Sequence, residues 1–159
     1  MRRHEQEISD IKTIEEILQK ASVCRIGLVD ENMPYIVPVC FGYQDGSIYL
    51  HSSPRGRKIE VIRRNNNVCF EVDVDVEVVP GVEACEWSVK YRSVIGFGKA
   101  SFVENEKEKI TALNVIMEHY SGTSAHEYSP HSFKRAVMIK IQIESMTGKR
   151  SKRRLQETV

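Results

Sequence analysis

The stretch Tyr49-Leu50-His51-Ser52-Ser53-Pro54-Arg55-Gly56-Arg57-Lys58 concentrates the chemistry of this chain. A histidine and two hydroxyls end an apolar run, a Pro/Gly turn follows, and a basic pair opens what reads as a helix. Those are the parts of an anion site. Amides at a helix N-terminus donate to phosphate oxygens, and the helix dipole favours negative charge there. Arg57 can grip two oxygens at once, and Lys58 adds a point charge. Without a ligand, the same residues are a solvated basic helix start with Ser53 as its cap. Cations oppose the dipole at that end, which counts against an idle role. His51 titrates around neutral pH and so can supply a proton; its plain alternative is a packed or hydrogen-bonded histidine at a strand end.

Other chemistry-bearing residues read more simply. Cys24, Cys40, Cys69 and Cys85 form no C-x-x-C and have no nearby histidine partner, so no zinc site is expected. Cys40 and Cys69 lie in strand-like runs and read as small buried hydrophobes. Glu71, Asp73, Asp75 and Glu77 alternate along one strand as a solvated acidic face rather than a cation site. His119, His126 and His131 lack metal-ligand spacing, although a folded loop could bring them over a bound group. Trp87, the only tryptophan, reads as barrel core or subunit interface. No metal is expected.

The elements that position these residues follow from periodicity. Ile8, Ile11, Ile14, Ile17 and Leu18 predict an amphipathic helix over 8–20, with Thr13 and Glu16 as a capping box. A strand over Cys24–Leu28 follows, then a second from Tyr35 to Tyr43. Asp45-Gly46 predicts a hairpin into a third strand, Ile48 to Ser52. After a short helix over Arg57–Asn65, Val68, Phe70, Val72, Val74, Val76 and Val78 alternate with polar residues, predicting one dry face. Trp87 to Val103 is too long for one flat strand, and Gly96 and Gly98 suggest a bend or bulge. Asn105 and Glu108 cap a helix lined by Ile110, Leu113, Ile116, Met117 and Tyr120. A polar loop over 121–134 precedes a last strand at Val137–Ile143. Six strands, a first hairpin and three helices argue for a closed or partly closed antiparallel barrel, not a parallel α/β sheet.

Composition fits one such domain over 1–148 with a basic tail over 149–159. The chain has 159 residues, long enough to bury its own core. Lys+Arg 23 against Asp+Glu 22 leaves a formal net charge of +1, so no global polyanion binder is indicated. No apolar run approaches a membrane span, and the charged start Met1-Arg2-Arg3 is no signal peptide; a soluble cytoplasmic protein is expected. Five of the six residues Lys149–Arg154 are basic, but no aromatic platform accompanies them, so nucleic-acid binding is not expected.

The ordered set Tyr35-Ile36-Val37-Pro38-Val39-Cys40-Phe41-Gly42-Tyr43, Asp45-Gly46-Ser47-Ile48-Tyr49-Leu50-His51-Ser52, Gly56-Arg57-Lys58, Val68-Cys69-Phe70-Glu71-Val72 and Trp87 to Ala100 resembles the pyridoxamine 5′-phosphate oxidase-like superfamily. Within it, the nitroimidazole-resistance (Nim) group is most similar. The resemblance spans about residues 8–145. It implies an α+β, mainly β fold: a six-stranded antiparallel Greek-key split β-barrel with flanking helices, forming a homodimer with two flavin sites between subunits. His51, Ser52, Ser53, Arg57 and Lys58 match the segment holding the flavin phosphate and ribityl chain. Val37, Pro38 and Val39 match the strand edge that meets the ring. Tyr91, Arg92 and Ser93 match the region by which the second subunit closes the site. The implied cofactor is FMN, with FAD the alternative. The implied activity is reduction of nitro groups or similar small-molecule electron acceptors, with His51 where that group carries an active-site histidine. The other reading is a flavin- or haem-binding carrier module without turnover. The chain shows no match to the C-terminal substrate-binding Arg and Trp of the vitamin B6 oxidases, so that oxidation is not expected. No Gly-x-Gly-x-x-Gly fingerprint is present either.

Overall fold

A computed structural model describes residues 4–151. The order is β1 (Glu7–Ile8), α1 (Ile11–Lys20), β2 (Cys24–Asp30), β3 (Met33–Val39), β4 (Gly42–Gln44), β5 (Ser47–Ser52), α2 (Arg57–Arg64), β6 (Asn67–Val79), β7 (Ser88–Val103), α3 (Glu106–Ser121), α4 (Pro130–Arg135) and β8 (Val137–Arg150). The strands form one antiparallel sheet in the order β3-β2-β6-β7-β8-β5-β4, with β1 added to the far end of β8. This is the expected mainly β, α+β split barrel. Eight strands replace the six expected: β1 is new, and β4 is a separate piece of the anticipated second strand.

Each difference has a local cause. The Asp10 side chain caps α1, accepting from the Thr13 amide at 3.0 Å, so the helix starts three residues after position 8 and Thr13 is not its cap. Ile8 instead joins β1, opposite Gly148, where a side chain on the glycine would collide with Ile8. The run Tyr35–Tyr43 breaks at Cys40-Phe41 because the Tyr120 hydroxyl of α3 accepts the Phe41 amide at 3.1 Å and donates to the Ser22 carbonyl. Gly42 lets α3 close down: a Cβ there would stand 2.6 Å from the Val115 carbonyl oxygen. The 121–134 loop contains α4, and β8 runs on past Ile143 to Arg150, so Lys149 and Arg150 belong to the ladder, opposite Ser93 and Arg92. The remaining tail residues, 152–159, lie outside the described residues.

The long alternation of β6 is not one dry face. Val68, Phe70, Val72 and Val74 point into the core, but the register slips between Val74 and Glu77, where Asp75 takes φ 55°. A bulge of this kind reverses which residues face inward. Val76 and Val78 are thereby exposed, Val78 opposite Val89 on an arm that extends beyond the barrel. The bulge is held by Asp75, which pairs with Lys20 of α1 and with Arg92 of β7. The glycines of β7 behave as expected: the β7–β8 register shifts between Phe97 and Gly98, and a Cβ on Gly98 would collide with the Gln142 carbonyl.

The core joins Phe41, Phe70, Ile26, Leu50, Ile139 and Ile141 from both halves of the sheet to Ile17 and Leu18 of α1 and Ile59 and Ile62 of α2. Cys24 belongs to it, and burial pushes its thiol up to about 12. The two cysteines expected inside are not fully there: Cys40 is exposed at the β3–β4 break and Cys69 is half-buried. A thiol reagent at neutral pH should therefore modify Cys40 and Cys85 quickly in the native protein. Cys24 should react only on unfolding, which peptide mapping after timed labelling would show.

Among the described residues, no helix is long and apolar enough to cross a membrane.

Candidate functional site

The β5 strand delivers His51 and Ser52 to its end, opposite Met138 and Val137 of β8. The turn over Ser53 to Gly56 then reverses the chain into α2. Gly56, the N-cap residue, sits at φ 129°, a conformation that favours glycine. No side chain caps α2, so Ser53 does not do so. The Gly56 carbonyl accepts from the amides of Ile59 and Glu60, at 3.0 and 3.2 Å. The first turn of α2 thus presents amides without a side-chain cap, as an anion site requires.

The two cations differ in their surroundings. Lys58 is half-buried, pairs with no carboxylate among the described residues, and has its pKa lowered by burial. Arg57 is anchored. Its Nε donates to Asp30 Oδ2 at 2.8 Å, and its guanidinium carbon stands 4.6 Å from the Tyr35 ring centroid. Asp30 Oδ1 accepts from Arg64 Nη2 at 2.6 Å. Asp30 and Tyr35 were not legible as site residues, because contacts 27 and 22 positions apart leave no spacing signature.

Tyr35 also brings in the ring-facing strand. It shares β3 with Val37, Pro38 and Val39, and β3 ends the sheet order, hydrogen-bonded to β2 alone along that path. Its outer edge is open. Pro34 and Pro38 lack amide hydrogens, as suits an edge strand. Val39 is buried, Val37 half-buried and Pro38 exposed. His51 is exposed rather than packed, and no hydrogen bond engages its ring among the described residues. The β3 strand and the start of α2 therefore meet through the Arg57–Tyr35 contact, with Ser52 and Ser53 leading into the same turn.

Tyr91, Arg92 and Ser93 lie on β7, which β6 and β2 separate from β3: Ile95 pairs with Glu71, Glu71 with Arg25 and Arg25 with Pro38. Met138, opposite His51, also pairs with Val103 of β7, and Arg92 lies eleven positions before Val103. Along an extended strand that puts Arg92 roughly 35 Å from the row of His51. Tyr91 and Ser93 share the alternation of the exposed Ile95 and Phe97, but Tyr91 is half-buried and Ser93 buried; Arg92 takes the other side and bonds Asp75 at 2.7 Å. Beyond them Val89 and Trp87 are exposed again, so Trp87 is not barrel core.

The remaining candidates have structural partners. The acidic face is paired, not merely solvated: Arg25 meets Glu71 and Asp73, Lys20 and Arg92 meet Asp75, and Lys90 meets Glu77. Strand β2 and helix α1 supply cations that the β6 pattern alone does not reveal. His119 Nε2 lies 2.7 Å from the Ala21 carbonyl, with its ring against Phe41, and its Nδ1 is buried without a partner among the described residues. His126 contacts Ser121. No group of three metal-ligating side chains occurs among the described residues.

Comparison with known proteins agrees with this architecture. The family model described as pyridoxamine 5′-phosphate oxidase matches residues 10–150. Among solved structures, the chain is similar to a Bacteroides thetaiotaomicron protein named as a candidate 5-nitroimidazole antibiotic resistance protein. They share 38% identity over 90% of this chain and 85% of that one, with a TM-score of 0.80. It also resembles the FAD- and haem-binding protein of Mycobacterium smegmatis, at 15% identity, 96% and 77% coverage and a TM-score of 0.82. The flavocytochrome Anf3 of Azotobacter vinelandii is similar at 18% identity, 96% and 72% coverage and a TM-score of 0.80. The last two are likenesses of fold. No match was found among curated proteins.

Proposed function

The chain belongs to the pyridoxamine 5′-phosphate oxidase family, and from that premise we propose that it is a flavin-dependent oxidoreductase of small electrophiles, acting as a homodimer. The observation that carries this reading is Lys58: a half-buried ammonium with no counter-ion among the described residues, beside Arg57, at a helix start no side chain caps. A protein that needed only to fold would gain by replacing such a lysine. A phosphate supplies the missing charge and accepts from the open amides. FMN and FAD share that inner phosphate, with FMN the reading preferred here and FAD the alternative.

The residues divide the work. Arg57, Lys58 and the first amides of α2 bind the phosphate, with Ser52 and Ser53 on the ribityl side. The open β3 edge at Val37, Pro38 and Val39 gives the ring a flat apolar wall. When bound, the flavin supplies electron transfer between a reductant and an acceptor. His51, exposed at the strand end, is placed to donate a hydrogen bond to an acceptor that gains negative charge as it is reduced. Tyr91 and Ser93 serve the site of a second copy. The exposed apolar side chains of Trp87, just before β7, and of Val89, Ile95 and Phe97 on it, with Val76 and Val78 of β6, form the face on which that copy docks. A nitro group is the favoured acceptor, in line with the name of the 38% identical Bacteroides protein. Oxidation of pyridoxamine phosphate is not proposed, since the single Trp of the chain is Trp87, on the arm.

The test is the visible spectrum of the purified protein, followed by denaturation and chromatography of whatever is released. Released FMN or FAD bears the reading out and names the cofactor. A haem band transfers the function to a carrier role on the same barrel. Protein that is colourless and takes up no added flavin overturns the assignment.

A further inference from the structure

We infer that Asp30 is a positioning residue of the phosphate corner, holding Arg57 by one edge so that its two η nitrogens face outward as a fork for two phosphate oxygens. The inference rests on the flavin reading above and adds to it a residue from a different element. Asp30 ends β2 at a turn where Glu31 takes φ 57°. Its side chain is only 16% exposed. Oδ2 accepts from Arg57 Nε at 2.8 Å and Oδ1 from Arg64 Nη2 at 2.6 Å.

A guanidinium is planar and carries five N–H donors, of which this contact engages only the Nε edge. The Tyr35 ring, 4.6 Å from the guanidinium carbon, restrains the plane from its face. Fixed at an edge and at a face, Arg57 keeps its paired η groups free of any carboxylate among the described residues. That is the geometry bidentate recognition needs, and it is set before a ligand arrives. Arg64 matters for charge. With both carboxylate oxygens already accepting from arginines, Asp30 repels an incoming phosphate less than a lone carboxylate would. Lys58, one residue on, has no such anchor and acts as a point charge. Arg57 itself is 56% exposed, so solvent screens its pair with Asp30 and the pair adds little to folding; a role in positioning explains the arrangement better than one in stability.

The experiment compares FMN with riboflavin, which has the same ring and ribityl chain but no phosphate. Flavin-free wild type, Asp30→Ala, Asp30→Asn and Arg57→Ala are titrated with each, following fluorescence quenching. Wild type should prefer FMN. Asp30→Ala should shrink that preference by about five- to tenfold, with riboflavin affinity nearly unchanged. Asp30→Asn should recover part of it, because its amide oxygen still accepts from Nε. In an Arg57→Ala background, Asp30→Ala should change the preference no further. Equal weakening of both ligands would make Asp30 a general structural residue and overturn the inference, as would a larger FMN preference in Asp30→Ala. Wild type that binds both flavins equally would overturn the phosphate corner itself, and the inference with it.

Discussion

Lys58→Met is expected to raise the melting temperature of the flavin-free protein while weakening FMN binding by about tenfold or more. The two effects have one cause. Burial lowers the pKa of Lys58, so the folded chain carries a charge that is partly desolvated and unpaired among the described residues. Methionine keeps the stem and removes the charge, and gains of this kind at functional sites usually cost activity. A hydrogen bond to a charged group contributes about 1.5–3 kcal/mol, which is roughly 10- to 100-fold in affinity. Adding Arg57→Ala removes the fork as well, and the double variant should lose about 100-fold or more. The pH dependence follows from the same shift. Because the folded pKa lies below the unfolded value, the unfolded chain binds more protons in the window between them, and stability rises with pH there. Lys58→Met abolishes that rise. The window must be read below about pH 10. Above it the buried Tyr43 hydroxyl, pushed up to about 12 by burial and by its bond to Glu15, makes stability fall. Denaturation curves of both proteins at several alkaline pH values, with FMN titrations alongside, separate these contributions.

What the sequence reveals of this site depends on distance along the chain. The turn from Ser53 to Lys58 is contiguous, so its residue types and order carried the anion reading directly. Asp30 and Tyr35 reach Arg57 from another hairpin, and nothing in their local surroundings marks them: Asp30 reads as one more turn residue. The break at Cys40-Phe41 is likewise set by Tyr120, 79 positions away. In β6 the difficulty is of another kind. Valine at every second position from Val72 to Val78 suggests one uninterrupted face, and a repeated residue type conceals a slip in phase. The local signal is Asp75, a residue type that tolerates the left-handed region, flanked by acids that resemble it. Arg150 shows the converse. Its place in a basic run suggested a tail, yet it stands opposite Arg92, a like-charge pair made tolerable because Asp75 engages Arg92.

That slip in phase determines the second large effect: Val78→Asp combined with Phe97→Asp is expected to turn a flavin-bearing dimer into a folded monomer without flavin. Beyond the bulge, the β6–β7 arm leaves Val78 60%, Trp87 57% and Val89 43% exposed, on the same alternation as Phe97 at 55%. An isolated two-stranded hairpin is marginal in water, and several large apolar side chains exposed on one side of it mark an interaction surface. A second copy is the partner that also explains Tyr91 and Ser93. Half-buried Tyr91 and buried Ser93 lie between the exposed members of this face, and β6 and β2 separate them from the β3 edge of their own chain. Aspartate at either position costs the monomer little, because both side chains already face water there. Buried against a partner, each unpaired carboxylate costs about 2–5 kcal/mol, or roughly 30- to several-thousand-fold in dimer affinity. Light scattering should give twice the chain mass for wild type and the single mass for the variant, with unchanged far-ultraviolet circular dichroism. A variant that stays dimeric assigns the interface to another face. A monomer that keeps its flavin shows that each site is complete within one chain, and Tyr91 and Ser93 then have no part in it. Loss of dimer and flavin together is the outcome expected of an arm that the bulge at Asp75 turns toward a partner.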